Sequence, residues 1–127
     1  MPIINHTSPL PDSYKDLPVA AGKPLLVAYA ASADPKTGEA WCPDVRAALP
    51  HLKATFGGVN QPELIYIEVG QRSEYKSPDN VFRTSKWNVP NVPTLARYER
   101  VDGEVKEVGR IIEGELLDKD KVAKLIA

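Results

Sequence analysis

The sequence predicts an α/β fold in which a central mixed β-sheet is flanked by helices on both faces. Two apolar runs of strand length, 24–30 and 64–69, are typical of central strands that are covered on both faces. An amphipathic helical pattern lies between them, and a hairpin pattern and a last helical pattern follow. This order favours a right-handed crossover connection for the parallel part of the sheet.

The first 23 residues carry only weak patterns, because four prolines break up any long helix there. A brief strand is predicted near residues 3 and 4. A short helix is predicted within 12–17, where Asp12 or Ser13 would serve as the N-cap.

A polar loop and an amphipathic helix follow the first central strand. Residues 31–40 are mostly polar or small, and we expect them to form a loop that walls off the segment after it. The helix begins at Pro43, which suits a first turn because its missing N–H costs nothing there. Pro50 should kink the helix, and Gly57-Gly58 should end it. The apolar stripe consists of Val45, Ala48, Leu49, Leu52 and Phe56.

The segment after the second central strand is mostly loop-like. Within it, Ser77 as N-cap and Pro78 at the first helical position predict a short helix. Phe82 and Trp87 are expected to anchor this helix to the core, or else to line a ligand groove.

A hairpin and a last helix complete the predicted fold. A strand is expected from Thr94 to Arg100, and residues 104–112 return as its partner after a turn at Asp102-Gly103. Asp118 is the expected N-cap of the last helix, whose apolar face comprises Val122, Leu125 and Ile126.

Composition limits the possible functions. The 127 residues suit one domain spanning 1–127, and a net charge of −1 gives no reason to expect nucleic acid or a membrane as a partner. One cysteine excludes an internal disulfide and argues against a cysteine-based zinc site, so we expect no metal and no cofactor. No apolar stretch approaches ~20 residues and no secretion signal is recognisable, so we expect a cytoplasmic protein.

The chemistry is expected at Cys42, within Trp41-Cys42-Pro43-Asp44-Val45 at the predicted helix start. Unpaired backbone N–H groups and the positive end of the helix dipole favour a thiolate at such a position. The alternative is that Cys42 is simply a small buried apolar residue. His51 lies about two and a half helical turns away, so we expect it at the surface rather than as a base for Cys42.

Several of these features together resemble the thioredoxin family. They are the central strand before Trp41-Cys42, the proline eight positions after the cysteine, and Val92-Pro93-Thr94 entering the next strand. The Trp-Cys-Pro-Asp sequence and the long loop before it are more closely similar to the family of thioredoxin domain-containing protein 17, the thioredoxin-related protein of 14 kDa. The similarity covers about Lys23 to Ala127 and includes Val69-Gly70, Tyr75-Lys76, Pro78, Asn80 and Phe82-Arg83.

The resemblance implies a thioredoxin fold and a role for each matching residue. Cys42 corresponds to the nucleophilic cysteine that forms a mixed disulfide with the substrate. Pro93 corresponds to the cis-proline beside the active site, and the backbone of Val92 to the segment that pairs with the substrate. Trp41 would shield the thiol. Pro43 and Asp44 would set the local geometry and charge, although the Asp44 carboxylate opposes thiolate formation.

One position departs from the family pattern. Val45 stands where the family carries a second, resolving cysteine. Without that thiol, a mixed disulfide at Cys42 has to be released by an external thiol such as glutathione. Because Val45 lies on the apolar stripe, it also suits ordinary core packing.

These observations favour a thiol-disulfide oxidoreductase of monothiol type. Its expected substrates are small disulfides and glutathionylated or nitrosylated thiols, with glutathione or another external thiol as the resolving partner. The resemblance also implies thioredoxin reductase as a source of electrons. The main alternative is a redox-inactive module that binds a peptide or a partner protein, and a redox sensor oxidised at its cysteine is a third.

Overall fold

A five-stranded mixed sheet forms the centre of the computed structural model, which describes residues 3–5 (backbone only), 11–57 and 64–127. The strand order is β1-β3-β2-β4-β5. β1 and β2 both run parallel to β3, whereas β4 is antiparallel to β2 and to β5, so the predicted mixed sheet and hairpin are confirmed. The strands are β1 Ile3–Asn5, β2 Leu25–Ala30, β3 Leu64–Glu68, β4 Thr94–Val101 and β5 Glu104–Ile112.

Helices cover both faces of this sheet. They are α1 Pro43–Phe56, α2 Arg72–Lys76 and α3 Lys119–Ile126, with short 3-10 segments at Tyr14–Asp16, Val81–Arg83 and Glu113–Leu117. α1 and α3 pack on one face, while α2 and the 3-10 segment Val81–Arg83 cover the other. None of the helices in the described ranges combines the length and the apolar character needed to cross a bilayer.

The core lies in two layers, one on each face of the sheet. All six residues of β2 are buried, and alternate side chains along it point to opposite layers. Val27 and Tyr29 belong to the layer beneath α2, whereas Leu26 and Ala28 belong to the layer beneath α1. This double burial explains why the strand lacks a polar face.

The first long helix has the predicted extent and burial. It begins at Pro43 and continues through Pro50 to Phe56, and Gly57 is its C-cap. Gly58, the second half of the predicted stop, lies outside the described residues. The apolar stripe faces the sheet, with Leu49 partly exposed and Val45, Ala48, Leu52 and Phe56 buried.

The segment after β3 differs from the prediction. α2 occupies Arg72–Lys76, a stretch expected to be a loop, and Ser77 is the C-cap of this helix rather than the N-cap of the next one. Five residues with one buried side chain, Tyr75, are too short to show helical periodicity. The 3-10 segment Val81–Arg83 is capped by Asn80, whose Oδ1 accepts from the Phe82 N–H at 3.0 Å.

The predicted anchors and caps elsewhere are confirmed. Phe82 and Trp87 are buried in the core. Ser13 caps the segment Tyr14–Asp16, and Asp118 Oδ1 accepts from the N–H groups of Asp120 and Lys121 at the start of α3. The β4–β5 turn places both Asp102 (φ 53°) and Gly103 (φ 83°) in the left-handed region, as a two-residue hairpin turn requires.

Candidate active site

The sheet topology brings Cys42 and Val92 together, although 50 residues separate them in the chain. Tyr29 near the end of β2 pairs with Thr94 at the start of β4. α1 begins after β2, and Val92-Pro93 immediately precedes β4. Both segments therefore meet at the same end of the sheet.

The Cys42 sulfur lies at the start of α1, and the residue is partly exposed. Cys42 is the N-cap, with φ −93° and ψ 123°, but its side chain makes no hydrogen bond to the N–H groups of the first turn. Instead the thiol donates to the Val92 carbonyl oxygen at a distance of 3.8 Å. The helix dipole thus acts on the sulfur without the direct backbone hydrogen bonds that would strengthen it.

The loop around Pro93 is fixed on both sides of the point where the sulfur approaches it. The Val92–Pro93 peptide bond is cis. Thr94 Oγ1 donates to the Asn91 carbonyl at 2.7 Å, and the Glu113 N–H donates to the Pro93 carbonyl at 2.8 Å. Within the described ranges, neither the N–H nor the C=O of Val92 bonds to another backbone group, while its side chain is buried.

Three contacts hold the Trp41 side chain in place. Its indole N–H donates to the Gly70 carbonyl at 2.9 Å. The Arg72 guanidinium lies 5.9 Å from the centre of its ring, and the Tyr75 ring is 6.1 Å away. Burial outweighs the opposing charge of Arg83 and raises the pKa of Tyr75 to about 12, so its hydroxyl stays protonated and donates to the Val89 carbonyl.

Gly70 lies in this corner of the molecule, and the sequence did not reveal its contacts there. Its N–H donates to Ser32 Oγ at 2.9 Å, and its carbonyl accepts from the Ser32 N–H as well as from Trp41. Its φ of 110° favours glycine, and an added Cβ would lie 3.2 Å from the Glu74 Cβ. In the sequence, only a glycine directly after the predicted strand pointed to this position, and that pattern also suits an ordinary turn.

The long loop 31–40 is tied to this same corner of the molecule. The Ala33 N–H donates to a Glu68 carboxylate oxygen at 2.9 Å, and Gln71 Nε2 donates to the Ala33 carbonyl at 2.7 Å. At its other end, Arg46 Nη1 donates to the Ala40 carbonyl at 2.7 Å. One end of the loop is therefore tied to β3 and Gln71, and the other end to α1 next to Trp41.

The remaining predicted site residues divide into exposed and buried ones. Pro43 and Asp44 are exposed, whereas Val45 is buried with 2% of its surface accessible. His51 is exposed and lines a groove of about 420 Å³ between α1 and α3, together with Leu116 and Val122. This agrees with the expected surface position and leaves His51 outside the Cys42 site.

The fold and this site together define a thioredoxin-fold protein with a single cysteine at the start of its first long helix. Solved thioredoxins have the same fold: that of Fasciola hepatica superposes with a TM-score of 0.53 at 21% identity over 83% of each chain. At the sequence level, a profile of the family "Thioredoxin domain-containing protein 17-like, thioredoxin domain" matches residues 12–125. The chain therefore belongs to the thioredoxin domain-containing protein 17-like family.

Individual relatives support this membership. A thioredoxin domain-containing protein of Schizosaccharomyces pombe is 38% identical over 109 residues, which is 85% of this chain and 86% of the relative. Thioredoxin domain-containing protein 17 of Mus musculus is 35% identical over 78 residues, which is 61% of this chain and 62% of the relative. The match to the mouse protein thus spans about three fifths of its length.

Proposed function

We propose that the protein is a thiol-disulfide oxidoreductase that acts through Cys42 alone. The observation that supports this most directly is a partly exposed sulfur at the start of α1, 3.8 Å from the Val92 carbonyl. A thiol that is accessible to solvent and near the positive end of a helix dipole is placed for nucleophilic attack. A purely structural cysteine would be expected to lie fully inside the core.

In the proposed reaction the Cys42 thiolate attacks one sulfur of a substrate disulfide. A bond forms between Sγ and that sulfur, the substrate S–S bond breaks, and the departing thiolate takes up a proton. With a glutathionylated substrate, the product is glutathione bound to Cys42 and a free substrate thiol. A second glutathione then attacks the bound glutathione sulfur, which regenerates Cys42 and forms glutathione disulfide.

The loop around Val92 provides a place for the substrate chain. The N–H and C=O of Val92 make no hydrogen bond to another backbone group within the described part of the chain, so they can pair with an extended segment. The anchors at Thr94 and Glu113 hold these groups in position. This arrangement supports the role that the family resemblance implies for Val92 and Pro93.

The residue at position 45 is the reason why we expect an external thiol to resolve the mixed disulfide. Val45 is buried and offers no thiol, so the mixed disulfide at Cys42 awaits a thiol from solution. Glutathione is the expected resolving thiol. We accordingly place the protein in the cytoplasm, where reduced glutathione is abundant.

The proposal is tested by incubating the reduced protein with glutathione disulfide and measuring its intact mass. We expect the addition of one glutathionyl group, its absence in Cys42→Ser, and its removal by added glutathione. Turnover is then followed as deglutathionylation of a glutathionylated peptide, with glutathione or with thioredoxin reductase and NADPH as the reductant. A folded protein that forms no mixed disulfide would refute the proposal and favour the binding module.

A further inference from the structure

We propose that Tyr75 is a positioning residue that aligns the Val92 segment, residues 89–93, with a peptide substrate at Cys42. This inference rests on the proposed function and adds a residue to it. The Tyr75 hydroxyl donates to the Val89 carbonyl at 2.7 Å, at the start of that segment. Attack on a peptide disulfide should therefore depend on this hydroxyl more than attack on a small disulfide does.

The Tyr75 side chain is fixed by contacts with its neighbours. It lies on α2 with 3% of its surface accessible. Its ring centre is 6.1 Å from that of Trp41, and the Arg83 guanidinium lies 5.8 Å from it on another contact. The hydroxyl thus has a defined position from which to hold the Val89 carbonyl.

The Val92 segment is held through alternate carbonyl groups. Three of its carbonyl oxygens accept hydrogen bonds from other parts of the protein, at 2.7, 2.7 and 2.8 Å. The donors and acceptors are Tyr75 Oη to Val89, Thr94 Oγ1 to Asn91, and the Glu113 N–H to Pro93. Tyr75 supplies the first of these anchors and comes from the element that also contacts Trp41.

The composition of the segment transmits a shift at Val89 to Val92. Pro90 and Pro93 each have φ fixed at about −65°, and the residue before a proline is restricted as well. Asn91 is the residue of this segment that neither restriction affects, and its carbonyl is anchored by Thr94. A displacement at the Tyr75 anchor is therefore carried along the chain rather than absorbed within it.

Val92 is the point at which such a shift affects the proposed chemistry. The Cys42 thiol donates to the Val92 carbonyl at 3.8 Å, and this donor is lost when the thiolate forms. The carbonyl can then accept from a peptide N–H, while the Val92 N–H donates to a peptide carbonyl. Both bonds place the substrate disulfide against the sulfur, so their misalignment slows the attack. A small disulfide without peptide groups makes neither bond.

The experiment compares two disulfides that share a leaving group. One is a short peptide whose cysteine is disulfide-bonded to 2-mercaptoethanol, and the other is 2-hydroxyethyl disulfide. In each reaction the Cys42 thiolate bonds to one sulfur, the S–S bond breaks, and the departing thiolate takes up a proton. The rate constant for the peptide divided by that for 2-hydroxyethyl disulfide should fall about fivefold in Tyr75→Phe, the loss expected for one hydrogen bond.

Two further measurements separate positioning from a general loss of structure. Thr94→Val removes the anchor at Asn91, so the same ratio should fall in this variant too. A peptide N-methylated at its cysteine and at both flanking residues cannot donate to the Val92 carbonyl. Its ratio should already be low with the wild type, and Tyr75→Phe should lower it by less than twofold.

Tyr98→Phe is the matched control. It also removes one buried tyrosine hydroxyl that makes a 2.7 Å hydrogen bond, so it should lower the urea midpoint as Tyr75→Phe does. Tyr98 lies four residues along β4 from Thr94, about 14 Å further from the Val92 segment. The ratio of the two rate constants should therefore stay at its wild-type value.

The two proposals fail in different ways. A folded wild-type protein that reacts with neither disulfide would overturn the proposed function itself. A wild-type protein that reacts with both, together with an unchanged ratio in Tyr75→Phe, would overturn only the role of Tyr75. An equal fall in Tyr98→Phe, or an equal effect of Tyr75→Phe on the N-methylated peptide, would also overturn that role, since lost stability or another contact would then explain the result.

Discussion

Val45 occupies the position at which the family pattern has a second cysteine, and the structure shows this side chain buried on the sheet side of α1. It follows Cys42 by three residues, so both belong to the first turn of the helix region. Under the proposed function, the residue at this position determines which thiol can release a bound substrate.

Val45→Cys should convert the monothiol site into a dithiol site. We expect the reduced variant to release both halves of glutathione disulfide as glutathione and to end with a disulfide between Cys42 and the introduced thiol. The wild-type protein and the control variant Val45→Ala should stop at the mixed disulfide, with one glutathione released. Intact mass and free-thiol titration distinguish these products. A folded Val45→Cys variant that keeps its bound glutathione would contradict this prediction.

Tyr29 and Tyr98 form a buried hydroxyl pair across β2 and β4, with their oxygens 2.7 Å apart. Both side chains are fully inaccessible to solvent. Each hydroxyl is the hydrogen-bonding partner that the structure gives the other, so removing one leaves the second unsatisfied in the core.

Tyr29→Phe and Tyr98→Phe should each lower the free energy of unfolding by about 1–3 kcal/mol. The double variant should lose less than the sum of the two, with a coupling energy of about 1 kcal/mol. Urea denaturation of the four proteins measures this cycle, and the partly exposed Tyr66→Phe serves as the control, with a change within about 0.5 kcal/mol. Additive effects of the two substitutions would contradict the pairing.

At the scale of elements, the corner formed by β3, α2 and the loop 31–40 positions the Trp41-Cys42 segment. Gly70 connects these pieces, since its two backbone groups bond to Ser32 and Trp41. Elements that are individually short are thereby held together by a few hydrogen bonds to the Gly70 backbone. We therefore expect the site to depend on this Gly70 junction as well as on α1.

Gly70→Ala should destabilise the protein by about 1–3 kcal/mol, because the new Cβ strains a positive φ and crowds Glu74. The rate of mixed-disulfide formation at Cys42 should change severalfold, because relief of this strain shifts the carbonyl that anchors Trp41. Gly22→Ala is the matched control: its φ is 77° and no atom lies within 4 Å of the added Cβ, so it should cost about 1 kcal/mol. The Cys42 rate should be unaffected in that control, and equal rate changes in the two variants would contradict the junction's role.

The whole molecule buries several tyrosines around its sheet. Burial raises the pKa of Tyr29 and Tyr98 well above the ordinary value of 10.0, and it raises the pKa of Tyr66 and Tyr75 to about 12. These hydroxyls are accordingly protonated in the folded state at a pH where the unfolded chain already loses its protons.

Stability should therefore fall as the pH rises above about 10. Above that pH the unfolded state binds fewer protons than the folded state. Each tyrosine with a raised pKa therefore lowers the free energy of unfolding by up to about 1.4 kcal/mol per pH unit. Below the ordinary pKa, the contribution of that tyrosine to stability is fully present. For Tyr66 and Tyr75 the loss ends at about pH 12. Urea unfolding at about pH 8 and about pH 11 measures the slope.

The double variant Tyr29→Phe/Tyr98→Phe tests the origin of this alkaline loss. It should retain the contribution of Tyr66 and Tyr75 and lose that of the buried pair, so its stability should decline less steeply with pH. An equal slope in the double variant and the wild type would show that other groups cause the loss.

The sequence by itself determined the elements whose patterns are strong and local. The sequence predicted the buried run of β2, the apolar stripe of α1, the Asp102-Gly103 turn and the Asp118 cap. These features were predictable because hydrophobic periodicity and backbone preference depend on only a few neighbouring residues. The sequence also showed the motif around Cys42 and the valine that replaces the family's second cysteine at position 45. Any thiol chemistry is therefore limited to a single cysteine.

The tertiary structure decided how that thiol is surrounded. The 3.8 Å approach of Cys42 to Val92, the Gly70 junction and the position of Arg72 over the Trp41 ring join residues that lie about 30 to 50 positions apart. Such contacts depend on the register and order of the strands, which local propensity does not encode. The sequence therefore singled out Cys42 as the candidate reacting residue, and only the folded chain showed which groups lie around it.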